Sequence, residues 1–68
     1  MAETSTLQQS AAAEHALAQA LESTLQLALK CHRAGNIEEA ETLYRSILEA
    51  DPHHPEANYN LGVLAVQV

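Results

Sequence analysis

The chain has 68 residues, of which 47% are apolar, and its formal net charge at neutral pH is −6. Thirteen of the apolar residues are Ala, and only 16 residues are Leu, Ile, Val or Met. A chain of this length buries only about 60% of its extended surface on folding, so it forms one small core. Because such a core encloses no deep pocket, we expect no enzymatic activity within these residues.

Charge and targeting patterns exclude several further classes. Residues 1–29 contain neither Lys nor Arg, so no basic stripe is present to neutralise the phosphates of a nucleic acid. The same acidity predicts repulsion from an anionic membrane surface, and no apolar run approaches the roughly 20 residues of a membrane-spanning helix. A single cysteine forms no internal disulfide. We therefore expect a cytoplasmic protein that binds neither nucleic acid nor membrane.

The first predicted element is a long N-terminal helix. Residues 1–34 contain neither Gly nor Pro and are rich in Ala, Leu, Gln and Glu, which are good helix formers. A capping-box pattern in Ser5–Gln9 predicts that this helix starts near residue 6. Leucines recur every four residues from Leu17 to Leu29 and predict an apolar stripe. Ser23–Thr24 is the weakest point of the helix for a bend, and the pattern leaves open whether residues 6–34 form one continuous helix.

Two further helices follow. Gly35 favours the left-handed conformation just past a helix end, and Asn36 is expected to cap the second helix while Glu39 returns the bond. The apolar residues of 37–50 share one helical face. Asp51–Pro52 ends that helix, and Pro55 starts a third that runs to about residue 67. No segment alternates like a strand, so the predicted fold class is all-α.

An internal repeat gives this order of helices a more specific interpretation. Leu27–Ala28 recurs 34 residues later as Leu61–Gly62. Between them stand Gly35 in the turn, Ala40 and Tyr44 with three residues between them, and Pro52 at the end of the second helix. This pattern resembles the tetratricopeptide repeat, in the style of bacterial members of that family.

The resemblance implies an antiparallel helical hairpin with a third helix packed beside it and a helical extension in front. Residues 1–20 would be that extension, residues 21–54 the first repeat, and residues 55–68 the first helix of a truncated second repeat. Small residues are expected where the two helices of the hairpin approach most closely, at Ala28 and Ala40. Thr24 and Cys31 replace the aromatic residues that the family usually has on its first helix.

The resemblance also implies a non-catalytic module that binds a protein or peptide in a groove formed by the first helices of its repeats. In one subgroup a Lys and two Asn residues clamp the carboxylate of a peptide, but only Asn60 matches that set here. Leu25 and Leu29 stand in the other two places, so we expect an apolar groove. Its predicted lining is Leu25, Leu29, Tyr59, Asn60 and Val63.

Self-association is the second implied activity. Arrays of this family normally end in a polar capping helix, and the sequence stops at Val68, before such a helix. The third helix is therefore expected to leave apolar residues partly uncovered around Gly62. Residues 6–20 offer a small-residue helix that a second copy would use, so we expect a homo-oligomer, with a dimer favoured by its general frequency. The predicted contact residues are Leu17, Leu21, Gly62, Leu64, Val66 and Val68.

Two clusters carry chemistry that competes with this interpretation. His53–His54 lies near carboxylates, but adjacent side chains diverge and a structural zinc site needs four convergent ligands, so we predict a polar loop and no metal.

Cys31 and His32 are neighbours, as in an activated thiolate. On a helix they point about 100° apart, and Cys31 falls on the apolar stripe, so we predict a buried thiol. Neither cluster implies a cofactor, and we expect none.

Two alternatives remain open. The stretch from Tyr44 to Pro52 and the run Leu61–Leu64 resemble repeats at the front of some bacterial glycosyl-, sulfo- or methyltransferases. In such an enzyme these residues would capture a substrate or partner, and the reading frame beyond Val68 would show the catalytic domain. A coiled coil is the weaker alternative, because Glu14 falls on the seam that Leu7 and Leu21 would define.

Overall fold

The computed structural model describes the backbone of residues 2–67 and the side chains of residues 12–66. It contains three helices, α1 (Ala2–Arg33), α2 (Ile37–Ala50) and α3 (Pro55–Gln67), and no strand in the described residues. The molecule measures 53 × 19 × 13 Å and its radius of gyration is 15.0 Å. A compact domain of this length would have a radius of gyration of about 11 Å, so the chain is elongated.

The turn between α1 and α2 is closed by the backbone. Gly35 has a φ of +86°, which an L-residue with a side chain adopts only with strain. The amide of Asn36 donates to the carbonyl of Cys31 at 2.9 Å, and that of Gly35 donates to His32 at 3.1 Å. This pair of bonds is the Schellman motif, which satisfies the last carbonyls of α1. It reverses the chain so that α2 returns along α1.

A side chain closes the second turn. The Nδ1 atom of His54 accepts a hydrogen bond from the backbone amide of Ala57 at 3.1 Å, which is the bond that an N-capping side chain makes. The side-chain amide of Asn58 donates to the carbonyls of Pro52 and His54, at 3.1 and 3.0 Å. These bonds tie the loop to the first turn of α3 and help to fix the direction in which α3 leaves α2.

The core lies where α2 packs between α1 and α3. Its centre is Tyr44, the largest fully buried side chain. Ala28 of α1 and Ala40 of α2 are both completely buried, as expected for the small residues of a close helix pair. Among residues 12–66 the buried apolar residues are Leu25, Ala28, Cys31, Ala40, Tyr44, Ile47, Ala57 and Leu64. Among the described side chains, no buried polar atom lacks a hydrogen-bond partner.

Two expectations about helix ends were wrong. The first helix begins at Ala2, four residues before the position that the capping-box pattern indicates. The question left open at Ser23–Thr24 is answered by one continuous helix. Asn36 precedes α2 but makes no side-chain capping bond. Glu39, which was expected to return that bond, instead accepts a hydrogen bond from the thiol of Cys31, with Sγ 3.7 Å from Oε2.

The first part of α1 extends beyond the rest of the fold. Every side chain from residue 12 to residue 20 is exposed, and burial begins with the half-buried Leu21. We call residues 12–20 the arm. Leu17 is its one large apolar side chain and is 48% exposed. The arm thus continues a packed helix and has no packing partner among the described residues.

Candidate functional site

Helix α3 has two opposite apolar faces, and only one of them is packed. Ala57 and Leu64 are buried and Leu61 packs against the core. Tyr59 and Val66 are 72% and 87% exposed. Each residue turns a helix by about 100°, so positions two apart point about 200° apart. We call the second set, Tyr59, Gly62 and Val66, the outer face of α3.

The internal repeat shows what kind of surface this outer face is. Moving back by 34 residues takes its three members to Leu25, Ala28 and His32 of α1. Leu25 and Ala28 are buried in the core, and His32 contacts Tyr44 of α2. The stripe of α1 that receives α2 therefore recurs on α3, where no described element covers it. The outer face of α3 has the register of a helix-packing surface.

The predicted peptide groove is only partly exposed. Leu25 was expected to line it, and this is wrong, because its side chain belongs to the buried core and is 1% exposed. Leu29 and Val63 are half-buried, at equivalent points of α1 and α3. Tyr59 is open to solvent, whereas the side-chain amide of Asn60 donates to the Glu56 carbonyl at 2.8 Å. Leu29, Val63 and Tyr59 are the apolar part of the groove that remains.

Of the residues predicted for self-association, some are exposed and others are buried. Leu64 was expected to be partly uncovered, and this is wrong, because it lies on the packed face of α3 and is 2% exposed. Leu21 is half-buried against the core of its own chain. Leu17, Gly62 and Val66 are exposed as expected. The remaining predicted contact, Val68, lies outside the described residues.

The buried end of Tyr44 is held by His32. The Nδ1 atom of His32 lies 3.3 Å from the hydroxyl oxygen of Tyr44, and the two rings meet edge to face with centroids 6.2 Å apart. Burial raises the pKa of the Tyr44 hydroxyl above 10.0, although the charge of Arg33 opposes that change. The phenol is therefore neutral at physiological pH and serves to join α1 and α2.

Cys31 has the environment of a structural thiol. It is buried between α1 and α2, and burial raises the pKa of its thiol above 9.0, with the Glu39 carboxylate acting in the same direction. A reactive cysteine needs a lowered pKa and a positively charged neighbourhood. The thiol is therefore protonated at neutral pH, which matches the behaviour predicted from its place on the apolar stripe.

One histidine of the second loop, His54, has a structural role that the sequence did not reveal. His54 uses Nδ1 to cap α3, so that lone pair is already engaged. Among the described residues, no group of three or more His, Cys, Asp or Glu side chains is placed to hold a metal ion. The only sequence signal for the cap is the position of His54 directly before Pro55, since a proline favours the first position of a helix.

The described helices also carry no membrane-spanning segment, because none of them combines sufficient length with sufficient hydropathy. Comparison with known proteins gives one finding: residues 21–64 match a family model described as the tetratricopeptide repeat. No curated protein and no solved structure shows a significant match to the chain.

Proposed function

Because this chain belongs to the tetratricopeptide-repeat family, whose repeats are protein-interaction modules, we propose that it binds polypeptides and that its apolar helix faces also join copies of it to one another. The proposed role is non-catalytic and cytoplasmic. The observation that carries the self-association is the outer face of α3, which repeats the α2-binding stripe of α1 and is exposed.

The composition of α3 supports a protein as the occupant of this face. Glu56 is the only charged residue in Pro55–Gln67. A helix with a single charge, which exposes Tyr59 and Val66, gives up little hydration when another protein covers these two side chains. Tyr and other aromatic residues are also enriched at protein interfaces. These features favour an apolar polypeptide surface over a charged small molecule.

The groove supports a second mode of binding, to an extended peptide or a helix. Leu29 and Val63 occupy equivalent points of the first helices of two successive repeats, with Tyr59 beside Val63 in register. A peptide with apolar side chains at a matching spacing would bury these residues. The chain lacks the lysine of a carboxylate clamp at this surface, so we expect no preference for a free peptide C-terminus.

Solution mass tests the self-association. We expect the mass from light scattering to rise from monomer to dimer as the concentration increases through the micromolar range. Val66→Glu places a charge on the exposed outer face without touching the core, so it should lower the mass while helicity is retained. Ser46→Glu adds the same charge at an exposed position of α2 and is the matched control. A wild-type chain that stays monomeric at every concentration contradicts the self-association and leaves peptide binding to be measured separately.

The alternative remains that these residues capture a substrate or partner for a larger bacterial enzyme. The resemblance of Tyr44–Pro52 and Leu61–Leu64 to repeats that precede transferase domains favours it. Sequencing the transcript downstream of the codon for Val68 decides between a catalytic domain and a stop codon.

A further inference from the structure

The arm repeats the spacing of the helix that packs against α1. In α2, Ala40, Tyr44 and Ile47 are all fully buried, and Tyr44 contacts His32 of α1. Twenty-seven residues earlier, the arm has Ala13, Leu17 and Ala20 at the same intervals. The polar positions between them agree as well: Glu14, His15 and Gln19 stand where α2 has Glu41, Thr42 and Ser46. The arm therefore has the pattern of a helix that packs on a stripe such as Leu25–Ala28–His32.

The outer face of α3 is the copy of that stripe that is left open. Gly62 takes the place of Ala28, and a Cβ atom built on Gly62 would have no heavy atom of another element within 4 Å. A small residue on the incoming helix, such as Ala13, allows close approach at this point. Leu17 would then lie where Tyr44 lies on α1, with Tyr59 in the place of Leu25.

A chain cannot join its own arm to its own α3 while α1 remains one helix. The arm continues α1 from residues that are packed against α2, and all of its side chains are exposed in the part of the chain that the structure describes. A second copy is the natural source of the missing helix because each copy carries one arm and one outer face. Reciprocal exchange uses both and closes with two-fold symmetry.

The solvent-accessible area of the single chain agrees with a second copy as the occupant of the outer face of α3. The chain exposes 5044 Å², whereas a compact monomer of its mass exposes about 4200 Å². The excess is about 800 Å², which is what each partner buries in a protein interface of standard size. Apolar, uncharged residues face each other across the proposed contact, so the net negative charge of the two copies is kept away from its centre.

We propose that the chain forms a two-fold dimer in which the arm of each copy lies antiparallel on the outer face of α3 of the other, with Ala13 over Gly62. This inference rests on the proposed self-association and specifies which segment carries it. The exchanged arm completes the second repeat by acting as its second helix.

Disulfide trapping tests the register of this contact. In a Cys31→Ala background, chains with Ala13→Cys are mixed with chains with Gly62→Cys and oxidised with glutathione disulfide. We expect a covalent dimer in the mixture and none in either variant alone, because only residues 13 and 62 are brought within disulfide range. Ala18→Cys replaces Ala13→Cys in the control, since residue 18 lies about 140° around the same helix. Equal trapping by the control would overturn the register.

A second variant tests the contact without new cysteines. Gly62→Leu has free space in the single chain, so helicity should be retained, but its side chain occupies the place of the incoming arm. We expect the dissociation constant of the dimer to rise at least tenfold, while Gly62→Ala changes it less than threefold. A dimer that is unaffected by Gly62→Leu refutes the arm exchange but leaves self-association standing. A wild-type chain that is monomeric up to hundreds of micromolar refutes both.

Discussion

Replacing Ala40 with Leu tests the close approach of α1 and α2 on which the fold depends. Ala40 and Ala28 are both fully buried on facing helices, beside the equally buried Tyr44. The substitution adds three carbon atoms at a point where no solvent-exposed space exists. Leu has nearly the helix propensity of Ala, so any large effect comes from packing.

The expected loss is about 1–3 kcal/mol, the range observed when side chains are enlarged in a packed core. A chain of this length has a total free energy of unfolding of about 3–10 kcal/mol. The substitution therefore removes a substantial part of the stability. Each kcal/mol lowers the melting temperature of a domain of this size by about 4–8 °C, so a fall of at least about 4 °C is expected.

Urea denaturation followed by circular dichroism measures this loss, at one fixed protein concentration because association contributes to apparent stability. Ala50→Leu is the matched control: it makes the same chemical change at an exposed position of α2 and should alter stability by less than about 0.5 kcal/mol. If Ala40→Leu unfolds at the same urea concentration as the parent, the two helices are not in close contact at this residue and the repeat packing described above is wrong.

Three further measurements follow from the structure. In urea denaturation, Gly35→Ala should lower the free energy of unfolding by about 1 kcal/mol because Gly35 has a positive φ. Gly62→Ala should raise it by about 0.5–1 kcal/mol because residue 62 lies within a helix. The free energy of unfolding should fall above about pH 9. Cys31 and Tyr44 keep their protons in the folded state, whereas the unfolded groups, with reference pKa values of 9.0 and 10.0, release theirs. A free energy of unfolding at pH 10 equal to that at pH 7 contradicts this. Addition of EDTA should leave helicity and mass unchanged in circular dichroism and light scattering, and a decrease in either would indicate a bound metal ion.

The helices themselves were predictable because their signals are local. Gly35 and Pro52 mark the ends of α1 and α2, and the bounds predicted for α2 and α3 agree with the structure. These residues act through backbone conformation, which depends on immediate neighbours. The small residues Ala28 and Ala40 were also identified as buried, because the repeat pattern fixes the face on which each one lies.

The caps and the exposed faces were harder to predict because they depend on three-dimensional competition. Asn36 is a good capping residue, yet its side chain makes no capping bond, and Glu39 accepts a bond from Cys31 instead. Leu64 and Val66 are both apolar and two residues apart, and the sequence does not state which of them turns toward α2. That choice is made by the direction in which α3 leaves the loop, which the His54 cap helps to fix.

The arrangement of α2 between its two neighbours also determines how the chain reaches its folded state. The main helix contacts join α1 to α2 and α2 to α3, so they connect segments that are adjacent in sequence. Only short turns have to close, and the entropy lost in closing them is small. Helical proteins with such local contacts fold in microseconds to milliseconds. A growing chain can therefore complete the α1–α2 hairpin before α3 is available, and α3 then adds to a surface that already exists.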